Sequence, residues 1–219
     1  MTDFALARRN MIEGQLRPNR VTNGPLLAAI GDLPRERFLP ESARSVAYAD
    51  DDVPLGDGRY LMEPMVLARL IQALQPGPED RAMVVASGRG YGAALLARLV
   101  HSVVAVESAA ALLAAAEQTA KELGITGIQQ TVGKLEQGAP ASAPYDVILI
   151  EGAVQVVPPA IFDQLAEGGR LTAVVTGSPG AFGVAQLFMK EGGMASGRPL
   201  FDAGTPSLPG FAPAPRFTF

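Results

Sequence analysis

The sequence predicts an α/β protein built on an open, mostly parallel sheet with helices on both faces. Apolar runs alternate with helical patterns along residues 81–176, which is typical of parallel sheets. A glycine-rich turn at residues 87–92 follows the first run, and an acid, Glu107, stands at the tip of the next. In doubly wound sheets a turn and an acid so placed bind the adenosine part of a cofactor. We therefore expect a Rossmann-like fold with its ligand at the carboxyl ends of the first strands.

The N-terminal 75 residues are expected to be mainly helical and to form a lid over the ligand site. Asn23 before Pro25 is typical of a helix start, and Glu63 before Pro64 predicts another, with Glu63 as the cap. Residues 48–60 are rich in glycine and aspartate, which predicts a loop. The expected helices span residues 3–16, 25–31 and 64–75, with a short segment at 35–38.

Residues 76–201 are expected to form the core sheet. The run at 145–150 is almost continuously apolar, which indicates burial on both faces of a parallel sheet. Ser108 is typical of a helix cap, and Pro158 with Pro159 of a helix start. Two β-patterned runs flank Gly192 and predict an antiparallel hairpin at the sheet edge. The expected strands are 82–86, 103–107, 128–132, 145–150 and 170–176, with helices from 91, at 108–124 and at 158–168, and a hairpin of 184–190 and 196–201.

The chain is expected to form a single domain over residues 1–219. A length of 219 residues suits one sizeable core, and no linker composition divides it. Residues 202–219 are rich in proline and contain Phe211, Phe217 and Phe219. We expect this tail to lie extended over the body.

Composition excludes several classes of function. The chain has no cysteine, which excludes disulfides and thiolate metal sites, and its single histidine, His101, argues against histidine-based zinc sites. The aspartates 50–52 lack the alternation and final glutamate of a calcium loop, so no metal is expected. A formal charge of −4 gives no footprint for nucleic acid. No apolar run is long enough to span a membrane and no secretory pattern opens the sequence, so we expect a cytoplasmic protein.

The glycine turn is compatible with two cofactors. Residues 88–93 match the dinucleotide fingerprint G-x-G-x-x-A with an acid about twenty residues on, and they also match the glycine loop of S-adenosylmethionine-dependent methyltransferases. In either case Glu107 would accept hydrogen bonds from both ribose hydroxyls, at about 1.5–3 kcal/mol each. A turn that merely joins strand to helix is the third possibility. The expected cofactor contacts here are Ala86, Ser87, Gly88, Arg89, Gly90, Glu107 and Ser108.

Short segments along nearly the whole chain decide between these possibilities by resemblance. Two of the most specific are Pro34-Arg35-Glu36-Arg37-Phe38 and Pro144-Tyr145-Asp146. In their order the segments resemble the protein-L-isoaspartate O-methyltransferase family of class I methyltransferases. The resemblance implies transfer of a methyl group from S-adenosylmethionine to the carboxylate of L-isoaspartyl residues in damaged proteins, with isoaspartyl proteins or peptides as partners. The full set of segments is 9–12, 33–40, 47–48, 54–58, 90–91, 143–148 and 164–171.

The chain departs from the family pattern on the cofactor side. Val84 stands where the family has an acid, which predicts binding weaker by about one to two decades. Ala86 stands at the first glycine and is compatible with the turn if its φ is negative. Arg89 would pair with the ligand's carboxylate or point to water. Lys134, also expected at the cofactor site, falls on an acidic or polar family position and cannot accept a hydrogen bond from the adenine amino group.

The departures on the substrate side are larger. The family's Thr-Ile-Ser segment falls on Tyr60-Leu61-Met62, which removes the two aliphatic hydroxyls, so no catalytic residue is assigned. An ionised carboxylate needs no general base to attack a sulfonium carbon, so the lost hydroxyls remove positioning. Met62 and Met65 are expected to be core or lid side chains. With Glu63, whose charge would repel a substrate carboxylate, residues 60–62 form the predicted substrate lid.

Three hypotheses follow. The first is a protein-L-isoaspartate O-methyltransferase-like enzyme that uses S-adenosylmethionine. The alternative is a non-catalytic or substrate-altered member of the family that keeps the fold as a binding module, motivated by Met62, Val84 and Lys134. A dinucleotide-dependent oxidoreductase is the third.

Overall fold

The computed structural model describes residues 3–212 and is organised around one seven-stranded sheet beside a small hairpin. Within these residues the strands are β1 (Val53–Gly56), β2 (Arg59–Leu61), β3 (Arg81–Val85), β4 (Ser102–Glu107), β5 (Ile128–Val132), β6 (Tyr145–Val154), β7 (Leu165–Thr176), β8 (Gly183–Glu191) and β9 (Met194–Ala203). The α-helices are α1 (Phe4–Met11), α2 (Gly24–Asp32), α3 (Pro64–Leu74), α4 (Tyr91–Leu96), α5 (Ala110–Glu122) and α6 (Pro159–Asp163).

The large sheet has the order β5-β4-β3-β6-β7-β8-β9. The five strands β3 to β7 pair in parallel, whereas β8 pairs antiparallel with β7 and β9 pairs antiparallel with β8. Within this sheet the chain enters at β3, continues outward through β4 to β5, and then returns to β6 on the other side of β3. The strand order therefore reverses at β3. The predicted doubly wound, mostly parallel sheet with its C-terminal antiparallel hairpin is confirmed.

Apolar side chains from the two faces of the sheet enter two separate layers of core. Val84 and Leu149 point to the layer formed with the N-terminal helices. Val85 and Ile150 point to the opposite layer, which also contains Phe211 from the tail. Since successive residues of β3 and β6 alternate between two buried layers, their continuous apolar runs are explained.

The N-terminal segment begins helically, as expected. The side chain of Asp3 accepts from Leu6 N at the start of α1, which continues as a π-helical turn at Ile12–Leu16. Asn23 caps α2 by accepting from Leu26 N at 2.9 Å, as the sequence predicted. The division into a lid of residues 1–75 and a core of 76–201 stays a prediction.

The predicted loop at residues 48–60 is wrong, because the chain forms the antiparallel hairpin β1–β2 there. Val53 and Leu55 are buried and alternate with exposed neighbours, which is the pattern of a half-buried strand. Loop composition is confined to the tip, where Gly56 and Gly58 adopt positive φ angles of 97° and 67°. The loop composition of the tip dominated this segment, so the short strands on either side of it were not predicted.

Two further boundaries differ from the prediction. Ser108 does not cap α5; Ala109 occupies the cap position and forms no side-chain cap bond. The helix predicted at 158–168 ends at Asp163, and β7 begins at Leu165. Gln164 explains the early end, because its carbonyl accepts from Tyr145 N at 2.9 Å and so joins the chain to β6.

The described part of the tail is tied to the sheet. Leu208 N donates to Ala153 O at 2.8 Å, and Phe211 is only 1% exposed. Phe217 and Phe219 lie outside the described residues. None of the described helices is both long and apolar enough to cross a membrane.

Candidate functional site

At the carboxyl edge of the sheet, where the strand order reverses, β3 and β4 end in a glycine turn and an acid, and the neighbouring strand β6 adds a second acid. The turn of residues 86–90 follows β3, Glu107 ends β4, and Glu151 lies in the middle of β6. Gly88 N donates to Glu107 Oε2 at 3.1 Å, and this hydrogen bond joins the glycine turn to the end of β4. This edge is the one at which open α/β sheets bind ligands.

The glycine turn is left-handed at three positions. Gly88 and Gly90 have φ angles of 53° and 88°, which glycine adopts without strain. Ala86 has a φ of 60°, so the condition that its φ be negative is not met. A left-handed alanine costs about 1–2 kcal/mol, and its Cβ adds bulk to the turn. Ser87 beside it is 1% exposed, and its Oγ has no hydrogen-bond partner.

The Glu107 carboxylate is completely buried and its hydrogen-bonding capacity is filled. Oε1 accepts from Ser108 N at 2.7 Å and Ala109 N at 3.1 Å, while Oε2 accepts from Gly88 N. Arg59 Nε donates to both oxygens, at 3.1 and 3.0 Å. A carboxylate has about four lone-pair positions, so none is left for a ligand hydroxyl.

Arg59 is the functional-site residue that sequence reasoning missed. It begins β2, and besides its bonds to Glu107 it donates from Nη2 to Ser108 Oγ at 2.8 Å. Both side chains of the Arg59–Glu107 ion pair are buried, and removing one partner of such a pair typically lowers the free energy of unfolding by about 3–5 kcal/mol. No local pattern signals this contact, because the two residues are 48 positions apart.

The β1–β2 hairpin also covers the glycine turn. A Cβ built on Gly88 would lie 2.8 Å from Leu55 Cδ1, so the Leu55 side chain rests directly on the turn. A flexible leucine tip can shift, but in this arrangement it fills the space through which a ligand would approach the Gly88 backbone.

Glu151 is a second acid near the site, and sequence reasoning missed it. Burial raises its pKa to about 8, with Glu107 acting in the same direction and Arg35 opposing. Its Oε1 has no hydrogen-bond partner, and a Cβ on Gly92 would lie only 1.9 Å from that atom. The signal was present, because Glu151 follows the apolar run 145–150 just as Glu107 ends its own run.

Comparisons with known proteins agree on one family. The family model for protein-L-isoaspartate(D-aspartate) O-methyltransferase matches residues 7–199. The protein-L-isoaspartate O-methyltransferase of Koribacter versatilis is 41% identical over 179 residues, covering 82% of this chain and 80% of that protein. The enzyme of the same name from Methylorubrum populi is 41% identical over 180 residues, covering 82% and 83%.

The chain belongs to the protein-L-isoaspartate O-methyltransferase family.

Solved structures carry the same fold. A protein-L-isoaspartate O-methyltransferase structure superposes with a TM-score of 0.82 at 26% identity, covering 93% of this chain and 66% of that one. A Plasmodium falciparum protein of the family, solved with S-adenosyl-L-homocysteine, gives 0.76 at 20% identity, covering 95% and 99%, and shows the fold alone. The family assignment favours the methyltransferase interpretation of the glycine turn over the dinucleotide one.

One family segment, Pro34 to Phe38, has a clear structural role. Arg35 is buried, donating from Nε to Ala47 O at 2.7 Å and from Nη2 to Met62 O at 2.6 Å. Burial lowers its pKa, partly offset by the Tyr91 side chain, and its guanidinium lies 5.1 Å from that ring. Arg35 thereby fixes the predicted lid to the start of α4.

The predicted substrate lid is mostly interior. Leu61 and Met62 are buried in the core, which accords with the expected packing role of Met62, while Tyr60 is half-buried. Glu63 precedes α3 but forms no side-chain cap bond, so its predicted capping role is wrong. Burial, followed by the charges of Asp50 and Asp52, raises the pKa of Glu63 to about 7.

Three more of the predicted cofactor residues, Lys134, Ser108 and Arg89, lie in different surroundings. Lys134 is exposed at the start of the short helical turn Leu135–Gln137. Ser108 is beside the carboxylate, but its hydroxyl is engaged by Arg59. Arg89 has a buried Nε without a partner, and burial together with the charge of Arg44 lowers its pKa.

The residues present do not fit S-adenosylmethionine in the arrangement seen. The acceptor expected for the ribose is saturated and sealed by Arg59, the turn expected to approach the ligand is covered by Leu55, and Ala86 replaces a glycine. Across residues 3–212 no cluster of three or more His, Cys, Asp or Glu side chains is arranged to hold a metal ion.

Proposed function

We propose that this chain carries out the reaction of its family, methylation of the carboxylate of L-isoaspartyl residues, with S-adenosylmethionine as the methyl donor. The observation that carries the proposal is the match of the family model to residues 7–199, together with relatives at 41% identity over most of both chains. Its substrates would be damaged proteins or peptides, and we place this repair activity in the cytoplasm.

The frame of the site supports the proposal. Gly88 and Gly90 form the turn after β3, and Glu107 ends β4 at the point where the strand order reverses. An ionised substrate carboxylate requires no proton acceptor, so the replacement of the family's aliphatic hydroxyls by the phenol of Tyr60 and the thioether of Met62 changes positioning groups only.

A methyl-incorporation assay tests the proposal. The purified chain is incubated with labelled S-adenosylmethionine and a peptide containing one L-isoaspartyl residue, with the same peptide containing ordinary aspartate as the control. Label is expected in the isoaspartyl peptide alone. A protein that binds S-adenosylhomocysteine in a calorimetric titration but leaves the isoaspartyl peptide unlabelled would contradict the proposal.

The second candidate is a non-catalytic family member that uses the fold as a binding module. The observation that favours it is the buried carboxylate of Glu107, whose hydrogen-bonding capacity is filled and whose partner Arg59 lies within the β1–β2 hairpin. This candidate predicts neither label in the peptide nor heat from S-adenosylhomocysteine up to millimolar concentration.

A further inference from the structure

The β1–β2 hairpin, residues 53–61, makes two contacts with groups that the ligand of this fold would use. Arg59 donates to both oxygens of Glu107, and Leu55 rests on Gly88. The two residues lie on the two strands of one hairpin, so a single movement of the hairpin would release both groups. We call residues 53–61 the latch hairpin.

The contact with Glu107 uses the acceptor that a ribose would need. In doubly wound folds an acid at this strand end accepts from ribose hydroxyls. Here Nε of Arg59 donates to both carboxylate oxygens, and the positive charge strengthens those bonds. A ribose and the Arg59 side chain therefore require the same lone pairs and exclude each other.

The rest of the Arg59 side chain is also held in place. Nη2 donates to Ser108 Oγ at 2.8 Å, and the residue is 2% exposed. The backbone donors of Gly88, Ser108 and Ala109 also hold the Glu107 carboxylate. The carboxylate is thus fixed in place, and access to it depends on the latch hairpin.

We infer that the latch hairpin is an internal competitor for the adenosyl site, with Arg59 occupying the position of the ribose, so that S-adenosyl ligands bind only to the fraction of molecules in which Arg59 has left Glu107. The inference rests on the proposed function for the identity of the ligand. It predicts that the apparent Kd exceeds the intrinsic Kd by the reciprocal of that fraction.

Calorimetric titration with S-adenosylhomocysteine tests the inference on the parent chain and on Arg59→Gln. Glutamine removes the charge and most of the reach, so binding should tighten by at least about tenfold if the open fraction is about one tenth or less. The matched control is Arg37→Gln, which removes an arginine from a half-exposed ion pair with Glu122 and should leave the Kd unchanged.

Arg59→Gln leaves a buried carboxylate without its cation, so its fold is checked first by circular dichroism and thermal unfolding. Leu55→Ala provides a second route, because it uncovers Gly88 without unpairing a charge, and it should tighten binding by about threefold or more. The inference is overturned if the folded variants bind no more tightly than the parent, or if none of the proteins binds.

The methyl-incorporation assay on the same proteins separates this inference from the proposed function. Tighter binding by Arg59→Gln without label in the isoaspartyl peptide would support the latch hairpin and contradict the reaction. Labelling by the parent with an unchanged Kd in Arg59→Gln would support the reaction and contradict the latch hairpin.

Discussion

The carboxyl of Glu151 lies beneath the start of α4, and its burial determines how its charge responds to pH. Its pKa is raised from 4.5 to about 8, chiefly by burial. Between these values the folded chain holds a proton that the unfolded chain releases. Since the folded state then binds more protons, the free energy of unfolding falls as pH rises through this window.

Glu151→Gln should remove this dependence. The free energy of unfolding of the variant relative to the parent is expected to increase by about 1–3 kcal/mol between pH 5 and pH 7, because one proton contributes up to about 1.4 kcal/mol per pH unit. Urea unfolding of the variant and the parent at these two pH values measures this change in relative stability. Glu117→Gln on the exposed face of α5 is the matched control, and an equal pH dependence in both variants would contradict a buried, protonated Glu151.

The side chains of the site differ in how far the sequence could predict them. Glu107 was predictable because an acid at the tip of a β-patterned run can be placed without knowing its neighbours. Arg59 was not, since its role depends on a contact made only when the hairpin folds over the sheet. Ala86 shows an intermediate case, where the turn was predicted but the sign of φ was known only from the structure.

Helix α4 and strand β6 approach each other more closely than a side chain at position 92 would allow. A Cβ there would meet Glu151 Oε1 at 1.9 Å. Gly92, which the sequence suggested as part of the ligand loop, is therefore required by the packing of α4 on Glu151. This packing requirement does not depend on a ligand.

Gly92→Ala should lower the free energy of unfolding by more than about 2 kcal/mol, because both partners are buried and a carboxyl must move. Combining it with Glu151→Ala removes the obstructing atoms, so the two changes should be non-additive by about 1–3 kcal/mol in a double-mutant cycle. Gly31→Ala is the control, since its Cβ would lie 3.8 Å from Ile12 Cδ1 and fits. Additive effects would refute the contact.

Secondary-structure elements were predictable where hydrophobic periodicity was strong and uninterrupted. Strand β5 has the predicted bounds, and β4 extends the prediction by one residue. The β1–β2 hairpin was missed because its strands are only four and three residues long and flank a glycine turn. Helix α6 was overestimated because the Gln164 carbonyl accepts a hydrogen bond from Tyr145 N in β6, so the helix ends early.

The two layers of core on either side of the sheet are completed by different parts of the chain. The N-terminal helices close one layer, and the tail contributes Leu208 and Phe211 to the other. The overall architecture followed from the alternation of strands and helices, which restricts the topology to few solutions. The insertion of Phe211 did not follow, because a proline-rich tail has no periodicity that assigns a residue to a layer.

Phe211→Ala should lower the free energy of unfolding by about 3–5 kcal/mol, the usual cost of removing a buried phenylalanine. Phe182→Ala is the matched control, because Phe182 is 82% exposed and its removal should change stability by less than about 0.5 kcal/mol. Guanidinium denaturation of the full chain measures both. Equal effects from the two substitutions would show that Phe211 does not complete the core.

The bond between Arg59 and Glu107 can also be considered as binding by a tethered ligand. A group attached to the same chain is present at its site at an effective concentration of about millimolar or above, whatever the concentration of protein. A free adenosyl ligand must outcompete that group by its own concentration and contacts. Under the proposed competition, filling half of the molecules requires a higher concentration of the adenosyl ligand than its intrinsic Kd alone would require.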